Sequence, residues 1–215
     1  KNDKEIVLEA VKHISASIVG SDWALHYANK KLRGNKEIVL AAVKHSGSAL
    51  QHADKKLRGN KEIVLAAVRQ NGEVLEYADK KLKNNKEVVL AAVTKDGSAL
   101  RFADKKLKGD KKFVLAAVKK NGSALDYADD SLKKDKEVIL VAVKNDGNAL
   151  QYADKKLQGD KEIVLAAIKS ELSFIQYAGD EVRSDKAFME KYITEEEIFE
   201  KYFINKKNLK KYIYS

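Results

Sequence analysis

Along this 215-residue chain, an aromatic or histidine side chain is followed three and four residues later by a pair of lysines, at regular intervals. Tyr27 precedes Lys30 and Lys31, His52 precedes Lys55 and Lys56, and Tyr77 precedes Lys80 and Lys81. Phe102 with Lys105 and Lys106, and Tyr152 with Lys155 and Lys156, continue the series. After Tyr127 the lysines give way to Asp130 and Ser131, and Tyr177 closes the aromatic set. Cations interleaved with rings suit a phosphate-bearing or acidic partner, because charge holds the anion while the ring offers a stacking surface. The same pattern has a plain structural use. A ring at the edge of a buried stripe lies on the neighbouring element, and lysines keep the opposite face solvated. That structural use is the default expectation.

Other chemistry is sparse. The four histidines, His13, His26, His45 and His52, sit near the start of the chain. His13 and His45 fall where the end of a helix would favour a charged imidazole, and His45 and His52 flank a glycine turn. A zinc site needs further ligands, which nothing here supplies. There is no cysteine, so thiol chemistry and disulfides are excluded. No Ser-His-Asp order, glycine-rich phosphate loop or buried carboxylate pair is present. The expectation is therefore a chain with no catalytic activity, no metal and no cofactor.

Composition bounds the rest. Forty-two Lys and Arg face 32 Asp and Glu, a net charge of +10 lying mainly in the first five of the repeats described below. That is thin for a dedicated nucleic-acid binder. With 44% hydrophobic residues the chain can bury a core. At usual frequencies roughly ten prolines are expected, and there are none. This favours helix after helix. No apolar run reaches the ~20 residues of a membrane span. The first residue is Lys1 rather than Met, as in a fragment, and no signal peptide opens the sequence.

The elements that position these side chains are set by an internal repeat. Lys36, Lys61, Lys86, Lys111, Lys136 and Lys161 each open a near-copy at a spacing of 25 residues, and an earlier copy starts at Lys4 with an insertion around residues 14–20. Each copy carries two helix signals. The first is an apolar run such as Ile38-Val39-Leu40-Ala41-Ala42-Val43, preceded by Asn35 as N-cap, with Glu37 in the first turn. A run apolar on nearly every side predicts a helix sandwiched between neighbours. Gly47 is expected at a left-handed C′ position, and Ser48 with Gln51 has the form of a capping box for a second helix ending at Gly59. Gly97, Gly122 and Gly147 repeat the turn; Gly34, Gly109 and Gly159 repeat the stop.

Helices this short are marginal alone, so each copy must lean on the next. The fold class is all-α: a right- or left-handed α-solenoid of two-helix repeats. With about 100° per residue and Leu50 at zero, His52, Lys55 and Lys56 share the face away from the buried stripe. Stacked copies then turn the side chains of the first paragraph into columns. Asp79 with Lys83, four residues on, has the spacing of a surface ion pair.

The recurring K-E-x-V-L-x-A-V … G-x-A-L-x-Y-A-D-x-x-L resembles the DUF4116 helical-repeat family, from about Lys4 to Asp185. Such repeats occur in bacterial proteins, including effectors of intracellular bacteria, and in protists. The resemblance implies a helical module in a cytoplasmic or host-delivered protein, and it carries over no catalytic residue.

Two domains are expected: the array over 1–185 and an aromatic-rich helical cap over 186–215, where Lys-Tyr recurs at 191–192, 201–202 and 211–212. Thr194 with Glu197 and Asn205 would start helices there. The insertion with Trp23 is expected to cover the open end of the array, or to anchor a partner. The functional expectation is a monomeric, non-catalytic scaffold binding a protein or peptide. Its candidate contacts are Trp23, Tyr27, Lys55, Lys56, Tyr77, Lys80, Lys81, Phe102, Lys105, Lys106, Tyr152, Lys155 and Lys156. The alternative is nucleic acid or an anionic surface bound through the same lysines and rings.

Overall fold

The computed structural model describes residues 25–192, and Trp23, the insertion and everything after Tyr192 lie outside them. The described residues are helical, without a strand. The chain divides into two compact units, Lys1–Lys120 and Asn121–Ser215.

In the first unit the α-helices are α1 (Lys30–Arg33), α2 (Lys36–His45), α3 (Lys55–Arg58), α4 (Lys61–Gln70), α5 (Lys80–Lys83), α6 (Lys86–Lys95), α7 (Lys105–Lys108) and α8 (Lys111–Lys120). Between them run 3₁₀ segments over Gly47–His52, Gly72–Tyr77 and Gly97–Phe102. The long helices α2, α4, α6 and α8 stack side by side. Each 3₁₀ segment wedges between its own long helix and the next, which makes the α-solenoid.

The second unit repeats this with 3₁₀ segments Gly122–Tyr127, Leu132–Lys134, Gly147–Tyr152 and Leu172–Tyr177. Its helices are α9 (Lys136–Asn145), α10 (Lys155–Gln158), α11 (Lys161–Ile168), α12 (Asp180–Arg183) and α13 (Lys186–Tyr192). Helix α13 takes the register of a long helix: Phe188 and Met189 are buried at the positions of Ile163 and Val164.

The long helices start as the sequence requires. Asn35 Oδ1 accepts from the amides of Glu37 and Ile38, and Asn60, Asn85, Asp135 and Asp160 cap in the same way. Ile38, Val39, Ala42 and Val43 are completely buried, as are their counterparts in α4 and α6.

Five expectations change. Gly47 is not left-handed. Helix α2 ends instead on an extended residue, Ser46 at φ −140° and ψ 113°, and α4 on Asn71 at φ −144°. Glycine is needed there for room: a Cβ on Gly47 would sit 2.5 Å from the carbonyl oxygen of Ala67 in the next copy, and one on Gly72 2.4 Å from that of Ala92. The Ser48–Gln51 capping box does not form. The cap lies two residues earlier, where Asn71, Asp96, Asn121 and Asp146 accept the amide two residues on.

The second helix is not one helix either. It is a six-residue 3₁₀ segment, two extended residues (Ala53 at ψ 151°, Asp54 at ψ 148°), then a four-residue α-helix. Asp54, Asp79 and Asp104 are N-caps of those short helices, accepting from Lys56, Lys81 and Lys106. So Asp79 serves its own backbone rather than pairing with Lys83. Breaking the helix at Asp54 frees its amide, which donates to Arg33 O of the previous copy at 3.0 Å. Asp79 to Arg58 O and Asp104 to Lys83 O repeat this bond in the first unit; Asp154 to Lys133 O and Gly179 to Gln158 O repeat it in the second.

Finally, the long helices are not enclosed all round. Leu40, Leu65, Leu90 and Leu115, with Ala41, Ala66, Ala91 and Ala116, are only half-buried.

Candidate functional site

The 3₁₀ break changes what the lysine and aromatic columns are. A wheel at 100° per residue does not carry through Ala53 and Asp54, so His52, Lys55 and Lys56 do not lie on one continuous helix face. The lysines Lys55, Lys56, Lys80, Lys81, Lys105, Lys106, Lys155 and Lys156 are all exposed, at the first turn of the short helices. Tyr77, Phe102 and Tyr152 end 3₁₀ segments and are half-buried, while Tyr27 is 53% exposed.

Two of the side chains in the series, Phe102 and His52, have close contacts. The Arg101 guanidinium lies 4.5 Å from the Phe102 ring centre and donates to Glu73 of the previous copy at 2.8 Å. His26 packs on His52 with ring centres 4.7 Å apart, and their Nδ1 atoms are 3.4 Å apart. Burial, then the charge of Asp126 and the neighbouring Tyr127, raises the Tyr152 phenol above its ordinary value. In the fifth copy Asp130 and Ser131 remove the lysine pair. The short helix shrinks to three 3₁₀ residues, with Asp129 capping Ser131 and Lys133 pairing with Asp130 at 3.4 Å. His52 meets His26 rather than His45, which lies exposed at the end of α2. Among the described residues no three His, Asp or Glu converge as metal ligands.

A second surface, on the long helices, is the better candidate. Leu65 and Ala66 are followed at the next copy by Leu90 and Ala91, then Leu115 and Ala116, so half-exposed apolar side chains run from helix to helix. An open groove lies along α6, with Leu90 and Ala91 as its floor and Arg69, Glu87, Thr94 and Lys95 around it. In the second unit a similar groove has Leu165 and Phe188 as floor, with Lys161, Glu162, Asp185, Lys191 and Tyr192 at its sides.

Charge pairs join the starts of successive long helices in register. Lys36 Nζ meets Glu62 at 2.7 Å, and Lys61 meets Glu87 at 2.5 Å. Lys136 holds both Asp160 (2.7 Å) and Glu162 (2.8 Å), and Lys161 holds Asp185. The lysine hydrogen bond, and then its charge, keeps Glu62 and Glu87 below the ordinary glutamate range; Lys44 and Arg69 lower them further. Hydrogen bonds to Asp160 and Glu162 raise Lys136 correspondingly.

Sequence reasoning passed over this surface because an unbroken apolar run reads as wholly buried. The signal was available in the composition around it. Leu90 and Ala91 lie between Lys86-Glu87 and Thr94-Lys95, so one side of the helix has polar neighbours at both ends.

No curated protein and no solved structure matches the chain. The family described as Domain of unknown function (DUF4116) matches four successive stretches, residues 3–58, 60–108, 110–158 and 160–199. Each stretch covers about two 25-residue copies, and the last extends past Asp185 through α13. With nearly the whole length matched in tandem, and the helices repeating in the same register, the chain belongs to the DUF4116 family.

Proposed function

We propose that this chain is a non-catalytic scaffold that binds a protein or peptide across its long helices. One observation carries the reading: Leu and Ala side chains left half-exposed at the same position of successive long helices in the first unit, and again in α11, flooring open grooves with charged sides. Apolar surface rimmed by polar groups, repeated on a stacked array, is the usual form of a protein-binding face. The step from repeat architecture to binding is an analogy between folds. In this reading the lysines of the short helices keep the array solvated and add long-range attraction, and the half-buried rings are mainly packing.

Nucleic acid bound through Lys55, Lys80, Lys105 and the neighbouring rings is the second reading. It is favoured by the exposure of those lysines in successive copies. A photo-crosslinking residue at Thr94, beside the groove of α6, and another at Lys55 separate the two. The expected result in cell extract is discrete protease-sensitive adducts from Thr94 that persist at high salt. Nuclease-sensitive adducts from Lys55, lost steeply with salt, would replace the proposal with the second reading. No adduct at either position would leave a structural spacer.

A further inference from the structure

The repeat that builds the groove also shows where its charge changes. In the first unit Glu62 and Glu87 occupy the same position of successive copies, each held by the lysine at the start of the preceding long helix. Glu62 also feels Lys44, and Glu87 feels Arg69. One copy later this position is Lys112. Lys86, which by register should hold a glutamate there, has no acidic partner among the described residues. The nearest acid by register, Asp110, is the N-cap that accepts the Lys112 amide at 3.0 Å.

The excess extends beyond that position. The four long helices of this unit carry ten Lys and Arg and three Glu, and Lys111, Lys112, Lys119 and Lys120 of α8 have no acid on their own helix. By the 25-residue register, the counterparts of Leu90 and Ala91 in the groove along α6 are Leu115 and Ala116 along α8. There the floor is the same, and lysine replaces the one acidic wall residue.

We infer that the long-helix face of the first unit, centred between α6 and α8, takes an acidic amphipathic peptide segment. Its apolar side chains lie on Leu90 and Leu115, and its carboxylates lie beside Arg69, Lys95, Lys112 and Lys120. Charge complementarity selects this occupant: the floor needs an apolar stripe, and cations are in excess at its rim. A heptad of helix advances about 10.5 Å, close to the ~8–10 Å between packed helices. Successive turns of a helical ligand therefore meet successive floors. The inference rests on the scaffold reading above and specifies its partner's chemistry.

The test uses the full chain and three labelled 21-residue peptides in fluorescence anisotropy at near-physiological salt. One is an amphipathic helix with leucine on one face and glutamate elsewhere. The second has those glutamates changed to lysine, and the third is a scrambled acidic sequence of the same composition. The first peptide is expected to bind in preference to both others. Lys112→Glu with Lys86→Glu is expected to weaken it about five- to tenfold, as loss of rim charge does. Ala116→Asp, a change at a half-exposed position, is expected to weaken it at least as much.

Equal binding of the scrambled peptide would overturn the inference, since charge alone would then suffice. So would binding of the first peptide unchanged by either variant, or its displacement by single-stranded DNA at equal charge concentration. If Thr94 crosslinks to proteins while the acidic peptide shows no preference, this inference fails and the scaffold reading stands. If Thr94 yields no protein adduct, the scaffold reading itself fails.

Discussion

Substituting the glycines of the array separates two accounts of why they are there. Gly72 follows a long helix, and a left-handed residue at that point would explain it by sequence. The structure instead gives it an ordinary backbone and no room: a Cβ would lie 2.4 Å from Ala92 O, 2.8 Å from Asp96 Cβ and 3.1 Å from Asp96 N. Relief requires the next copy to move by about 1 Å, and overpacking of this kind costs about 1–3 kcal/mol. Gly72→Ala also restricts the unfolded chain, which returns about 0.4–1 kcal/mol. The net expectation runs from no change to a loss of about 2.6 kcal/mol.

Gly59 is the control. Its φ is −97°, and the nearest atoms to a Cβ are Lys56 O at 3.5 Å and Asp79 Cβ at 3.6 Å, which is ordinary contact. Gly59→Ala should therefore gain about 0.4–1 kcal/mol. Urea and thermal midpoints by circular dichroism are the assay, with both variants compared by midpoint because repeat arrays need not unfold in two states. The third variant is decisive. Asn tolerates a left-handed backbone, so Gly72→Asn would be milder than Gly72→Ala if conformation were the cause. The crowding argument requires it to be worse. A mild Gly72→Asn, or a Gly72→Ala that gains stability as Gly59→Ala does, would refute it.

Further expectations follow from the register of the copies. Asn60 stands where Asp160 both caps α11 and binds Lys136, so Asn60→Asp should keep the cap, add a contact to Lys36 and raise the midpoint slightly. Asn60→Ala should lose about 1 kcal/mol with the cap. Leu100 is fully buried, and Leu100→Ala should cost about 2–5 kcal/mol, read from the same denaturation curves. Glu62, Glu87 and Asp185 are held below their ordinary values, chiefly by hydrogen bonds to Lys36, Lys61 and Lys161. Their contribution is present above the unfolded-state values of about 4 and is lost as pH falls through the lower folded ones. Glu62 and Glu87 are exposed and Asp185 is only half-buried, so the acid-side fall in midpoint should be small and should shrink further in high salt.

Some of the architecture was legible because it repeats. The copies opened by Lys36 and by its counterparts to Lys161, the Asn and Asp caps before each long helix and the buried Ile-Val and Ala-Val pairs all follow from local rules. Those rules act within a few residues. Other features were misread because they depend on the neighbouring copy. Gly47 carries a local signature of a left-handed cap, but what it meets is Ala67 O, twenty residues away. The six residues from Gly47 to His52 have the composition of an α-helix, yet they wind as 3₁₀ and break at Ala53. Extending there frees the Asp54 amide to bond the previous copy at Arg33 O.

The candidate site divides in the same way. The lysine and aromatic series was visible as a spacing, and the chain does expose those lysines. The Leu90 and Ala91 floor was hidden inside a run that reads as core. A hydrophobic run fixes that a helix packs, but its neighbours decide which sides are covered. By itself the sequence determined the repeat, the helical class, the caps and the charge excess, because each is a property of residues or of short spacings. The tertiary structure alone decided the glycine contacts, the broken second helix and the half-open Leu and Ala stripe, because each is set by how closely one copy packs on the next.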